Sequence, residues 1–181
     1  MGWNLFEKKG SKKEQGDGKM QKAMIIGCPG SGKSTFARAL HTATGLPLYY
    51  LDMLYWNADK TTVSKEVFRG RLREILDTDA WILDGNYGST MEMRLEKCDT
   101  VFFLDFPVAV CLDGIQARFG KPRADMPWIE TEEDTEFLNF IKAFEAESRP
   151  TILTLLEKHP EKQTVIFRSR KEAEDYLQLL K

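Results

Sequence analysis

Residues 27–34 read Gly-Cys-Pro-Gly-Ser-Gly-Lys-Ser and fit the pattern G-x-x-x-x-G-K-[ST]. The residue types suit one task, holding a chain of phosphates. Successive backbone N–H groups must point inward at phosphate oxygens, in dihedrals that Gly27, Gly30 and Gly32 adopt at low cost. Lys33 brings a mobile positive charge to the outer phosphates, and Ser34 offers a hydroxyl to magnesium. Ser31 and Thr35 complete the set expected to cradle the nucleotide, which is read as ATP with Mg2+. A helix starting at this loop would turn its positive dipole end toward the anion.

Further along the chain, Asp84 closes the apolar run Trp81-Ile82-Leu83, where it could orient a magnesium-bound water or cap the turn before Gly85. Asp52 follows Leu51 and is read two ways: as similar to the aspartate that in related small-molecule kinases holds the acceptor hydroxyl and accepts its proton, or as a helix cap. Arg118, Lys121 and Arg123 flank Gly120 in a segment free to close as a short lid over 118–131. Arg118 and Arg123 could there stabilise the charge that spreads over a moving phosphoryl group. A solvated basic loop is the other reading. Arg149, before Pro150, is a weaker candidate; Arg168 and Arg170 follow the last strand, near where related kinases place adenine, and surface exposure is the other reading.

The elements that must position these residues alternate. Short apolar strands are expected at 23–27, 46–51, 81–84, 100–105 and 163–167. Helices are expected after the phosphate loop, at 62–76 with Val63 and Val67 on the buried face, at 89–96, and from Pro107 to Gly120. Another runs from a capping box at Thr131–Asp134 to Ser148, a new one starts at Pro150, and the last is capped by Ser169. The pattern implies an α/β domain with a doubly wound, five-stranded parallel sheet, whose ligands sit beyond the carboxyl ends of the strands.

At 181 residues with a formal charge of −2, the chain suits one domain. Residues 1–20 mix five lysines with glycines and acids and read as a disordered basic tail before a kinase-like domain at 21–181. The rest is acidic, without the basic stripe of a direct nucleic-acid binder. No apolar stretch is long enough to span a bilayer, and no apolar signal core is seen, which points to the cytoplasm. Three widely spaced cysteines, Cys28, Cys98 and Cys111, fit free thiols. No Asn/Thr-Lys-x-Asp guanine-reading motif follows the loop, which argues against a GTPase.

From residue 22 onward the chain resembles the adenylate-kinase-related family often labelled DNA topology modulation proteins. The stretches that carry the likeness are IIGCPGSGKST, LYYLDMLYW, WILDGNY, RLEKCDTVFFLDFP, GKPRADM, FLNFIKAFEAESRP and VIFRSRKEAEDYL. The resemblance implies a nucleoside-monophosphate-kinase-like fold and ATP binding, and the label implies a link to DNA supercoiling. One departure stands out. Adenylate kinases follow the third strand with Asp-Gly-Phe-Pro-Arg, whereas this chain has Asp84-Gly85-Asn86-Tyr87-Gly88, and its nearest arginine is Arg94. The expected activity is ATP-dependent transfer to a small, ring-bearing acceptor; the alternative is an ATP-binding regulator with little turnover that acts on DNA topology through partners.

Overall fold

In the computed structural model, which describes residues 19–180, the apolar runs lie side by side. Strands β1 (Lys22–Gly27), β2 (Leu48–Tyr50), β3 (Trp81–Asp84), β4 (Thr100–Leu104) and β5 (Gln163–Phe167) form one sheet in the order β2-β3-β1-β4-β5. Every pairing is parallel. Parallel neighbours require crossovers, and helices supply them: α1 (Lys33–Thr44), α2 (Leu51–Tyr55), α3 (Lys65–Leu76), α4 (Gly88–Lys97), α5 (Val108–Arg118), α6 (Thr135–Glu157) and α7 (Arg170–Gln178). With helices packed on the sheet, β3 and β4 are buried at every position, which explains the apolar runs Trp81–Leu83 and Val101–Leu104. The tail reading of 1–20 falls outside the described residues, apart from its last two.

Several local expectations are revised. Strand β2 is three residues long, and Leu51 already begins α2, so Asp52 sits in a first helical turn. Ser64 accepts a hydrogen bond from the Val67 N–H and starts α3 there, which leaves Val63 before the helix and Val67 exposed. Asp134, not Thr131, caps α6 by accepting from the Phe137 N–H at 3.0 Å. Pro150 starts no new helix. It lies inside the 23-residue α6, although a mid-helix proline costs about 3 kcal/mol. Ile141 and Phe144 before it and Ile152 and Leu156 after it are all buried, and this shared apolar face holds the two halves in one helix.

Candidate active site

Strand β1 lies between β3 and β4, and the glycine-rich loop leaves its carboxyl end, where the chain crosses to opposite sides of the sheet. Gly32, with φ 97°, is the N-cap of α1, so the loop delivers its backbone directly to a helix N-terminus. Gly30 is required for a second reason. A Cβ there would fall 2.0 Å from the Cys111 carbonyl oxygen, and one on Gly114 would fall 2.0 Å from the Gly30 carbonyl oxygen. The loop therefore rests backbone to backbone on α5, and Gly114 is as necessary as the motif's own glycines. Ser31 is buried, and Thr35 accepts from the Arg38 guanidinium at 3.3 Å. The Lys33 ammonium donates to the Cys28 carbonyl at 3.0 Å, and burial lowers its pKa against the opposing pull of Asp84.

Asp84 ends β3 next to this loop and is 5% exposed. Its Oδ2 lies 2.6 Å from the Ser34 hydroxyl, while its Oδ1 is buried without a hydrogen-bond partner. Burial raises its pKa to about 6, despite Lys33 and the Ser34 hydroxyl. A second carboxylate, Asp125, reaches the same hydroxyl at 3.1 Å from the irregular segment between α5 and α6. Ser34 has one proton, so it can satisfy only one of these two carboxylates at a time.

The loop after β3 is held from beneath. Asn86 accepts from the Gly27 N–H at 2.9 Å and returns a hydrogen bond to the Gly27 carbonyl at 2.5 Å, tying β3's exit to the start of the phosphate loop. Arg94, fully buried on α4, donates to the carbonyls of Gly85 (2.9 Å), Asn86 and Tyr87 (3.2 Å), and to Thr90 (3.3 Å) in its own helix. Burial lowers its pKa to about 9. This arginine is committed to backbone carbonyls and does not take the phosphate-facing place of the arginine absent after Asp84. It supports a strained turn in which Tyr87 has φ 38°.

That turn aims the Tyr87 hydroxyl at Asp52, whose Oδ1 accepts at 2.5 Å. Helix α2 has no side-chain cap, so the capping reading of Asp52 has no hydrogen bond behind it. Burial raises the Asp52 pKa, and the Tyr87 hydrogen bond and Lys33 oppose the rise. Asp52, Asp84, Lys33 and Ser34 line one cleft of about 850 Å³, walled by Trp56, Tyr87, Trp128 and Phe137. The Trp56 and Trp128 rings meet edge to face, 5.1 Å between centroids.

Arg118 and Arg123 converge as their spacing suggests, and both are ion-paired. Arg118 contacts Glu130 at 3.0 Å; Arg123 contacts Glu130 at 3.5 Å and Asp125 at 3.4 Å. Lys121 folds back on the Ala117 carbonyl, and Arg118 sits 5.9 Å from the Phe137 ring centre. Arg149 makes a bidentate pair with Asp105 at the end of β4, joined by Arg168, while Arg170 donates to the Val110 carbonyl. Sequence reasoning missed Asp125, Glu130 and Asp105. The Lys-Pro-Arg-Ala-Asp spacing gave a signal for Asp125 only as part of a charged loop.

No family model matches the chain, and no curated protein matches it. Solved structures do. Shikimate kinase from Bacteroides thetaiotaomicron aligns with a TM-score of 0.58 at 20% identity, covering 90% of this chain and 97% of its own. Shikimate kinase from Acinetobacter baumannii, in complex with shikimate, gives 0.56 at 18% identity, covering 89% and 93%. A sugar kinase from a Janibacter species gives 0.51 at 16%, covering 89% and 92%. At these identities the likeness is one of fold, and the chain has the phosphate-loop, nucleoside-monophosphate-kinase-like α/β fold of these kinases.

Proposed function

We propose that the protein transfers the γ-phosphoryl group of ATP to a hydroxyl of a small, ring-bearing acceptor bound beside Asp52. The observation that carries this reading is the single cleft in which Asp52, Asp84, Lys33 and Ser34 face one another. The acceptor oxygen forms a bond to phosphorus as the bond to the bridging oxygen of ADP breaks, and the hydroxyl proton passes to the Asp52 carboxylate. A raised pKa suits a proton acceptor working near neutral pH. Tyr87, donating to Oδ1, fixes the carboxylate's orientation and leaves Oδ2 for the acceptor. Aromatic walls favour a flat or apolar ring against them.

The donor set fits magnesium. Among the described residues no three His, Cys, Asp or Glu side chains form a metal cage. The Ser34 hydroxyl with Asp84 and Asp125 instead makes a hard-oxygen set that would hold such a cation. The orphaned Asp84 Oδ1 and the two carboxylates on one proton call for positive charge there. Magnesium supplies neutralisation of the phosphate charge when bound. Arg118 and Arg123 act from a lid spanning 118–131, exchanging Glu130 and Asp125 for the transferring group.

The test is turnover with ATP and magnesium across a panel of nucleosides, nucleotides and cyclic polyols, for the wild type and Asp52→Asn. The expected result is ADP release that depends on an acceptor and falls at least a hundredfold in the variant, with ATP binding retained. Equal rates in both proteins would remove Asp52 from the chemistry.

A further inference from the structure

Two cavities of similar size meet at Lys33, Ser34, Arg118 and Asp125, and they carry opposite charge. The one over the phosphate loop, about 870 Å³, is lined by six basic side chains, Arg38, Lys121 and Arg170 among them, against two acidic ones. Its charge suits the polyphosphate of the proposed donor. The one holding Asp52 is lined by eight carboxylates against three basic side chains.

Of those three basic groups, Lys33 and Arg118 serve the phosphates in the proposed reading, which leaves Lys60, without an ion pair among the described residues. Lys33 belongs to the phosphate loop and donates to Cys28. Arg118 is bound to Glu130. Lys60 stands exposed on the turn between Trp56 and Thr62. On the acidic side, Glu132, Glu133 and Glu136 line the cavity with no salt bridge among the described residues, and Asp84, beside the proposed magnesium position, lines it too with a buried oxygen that has no partner there. The Trp56 and Trp128 rings line the same cavity, and indole faces attract cations.

We infer that the acceptor is a hydroxyl compound that carries a positive charge and no anionic group: an amino alcohol or amine-bearing ring, rather than a nucleoside monophosphate or a carboxylated polyol. The inference rests on the reading of the Asp52 cavity as the acceptor site. The physical basis is selection by repulsion as well as attraction. Carboxylates lining the ligand's own cavity, partly screened by salt, change its binding by about threefold per unit charge, hence about tenfold between a cation and the matching anion. The charge contrast sorts the two substrates, because ATP is repelled from the acidic cavity and a cationic acceptor from the basic one.

A matched set of phenolic ligands reads this without turnover: tyramine (cationic), tyrosol (neutral) and 4-hydroxyphenylacetate (anionic). Binding to the full chain is measured by ligand-observed NMR in saturating ADP and magnesium, which fills the basic cavity. Tyramine should bind about tenfold or more tighter than 4-hydroxyphenylacetate, with tyrosol between them. The variant Glu132→Gln/Glu133→Gln/Glu136→Gln, altered only at exposed positions, should lose most of that ratio. Equal or reversed affinities, no binding by any of the three, or an unchanged ratio in the variant would overturn the inference. So would efficient phosphorylation of an anionic acceptor such as shikimate. If binding follows charge but no acceptor is phosphorylated, the phosphotransfer reading fails instead.

Discussion

Asp84 offers a measurement of what the site costs the fold. Its carboxyl is held at about 6 in the folded chain, against an ordinary value of 3.8, chiefly because burial disfavours the charge. A raised folded-state pKa in an acid means that the folded protein holds the proton more tightly. The stability from this group is therefore full below pH 3.8 and is lost as pH rises through 6. The shift corresponds to about 3 kcal/mol once pH is well above 6, and about half of that develops between pH 5 and pH 8. Asp84→Asn keeps the shape and removes the titration. Urea unfolding in EDTA at both pH values should show the variant gaining about 1.5 kcal/mol more, relative to wild type, at pH 8 than at pH 5. The variant's lost or altered hydrogen bond to Ser34 contributes equally at both and cancels. Magnesium added at pH 8 should then stabilise the wild type and leave the variant unmoved. A stability difference that does not change with pH would refute the claim that an uncompensated charge is buried at this position.

Lys33→Ala should abolish most of the rise in Tm that ATP and magnesium give the wild type, because a ligand stabilises only the state it binds; a preserved rise would place the phosphates elsewhere. Arg94→Met leaves the half-buried carbonyls of Gly85, Asn86 and Tyr87 without their donor. It should cost at least about 3 kcal/mol, near 10 °C in Tm by calorimetry. Gly114→Ala drives a Cβ into the Gly30 carbonyl and should weaken ATP binding in calorimetric titration by tenfold or more, although residue 114 lies outside the loop motif; unchanged affinity would show that α5 does not brace the loop.

The donor half of the site could be read from the sequence because its chemistry is local. A strand, five loop residues and a helix are contiguous, so Gly27 to Thr35 specify the loop's geometry, and with it the phosphate ligand we propose. The sheet was legible for a related reason: strands buried on two faces leave unbroken apolar runs such as Val101–Leu104. The acceptor half depends on contacts between distant segments. Asp52 meets Tyr87 across 35 positions and Ser34 meets Asp125 across 91, and no periodicity marks such pairs. Arg94 reads as one more charge on a helix until packing closes around it. Pro150 misled because its local cost was smaller than the burial on either side of it. The basic segment at 118–123 showed its charges but not their partners, so its acidic complement at Glu130 and Asp125 emerged only from the fold.

The most direct test of phosphoryl transfer lets the protein choose its own acceptor. The full chain is incubated with ATP labelled with heavy oxygen on the γ-phosphoryl group, magnesium and a small-molecule extract, and the products are read by mass spectrometry. A small molecule that gains the labelled phosphoryl group with the wild type, but not with Asp52→Asn that still binds ATP, is the predicted result. Label appearing only in inorganic phosphate, or the same labelled product from both proteins, would contradict it.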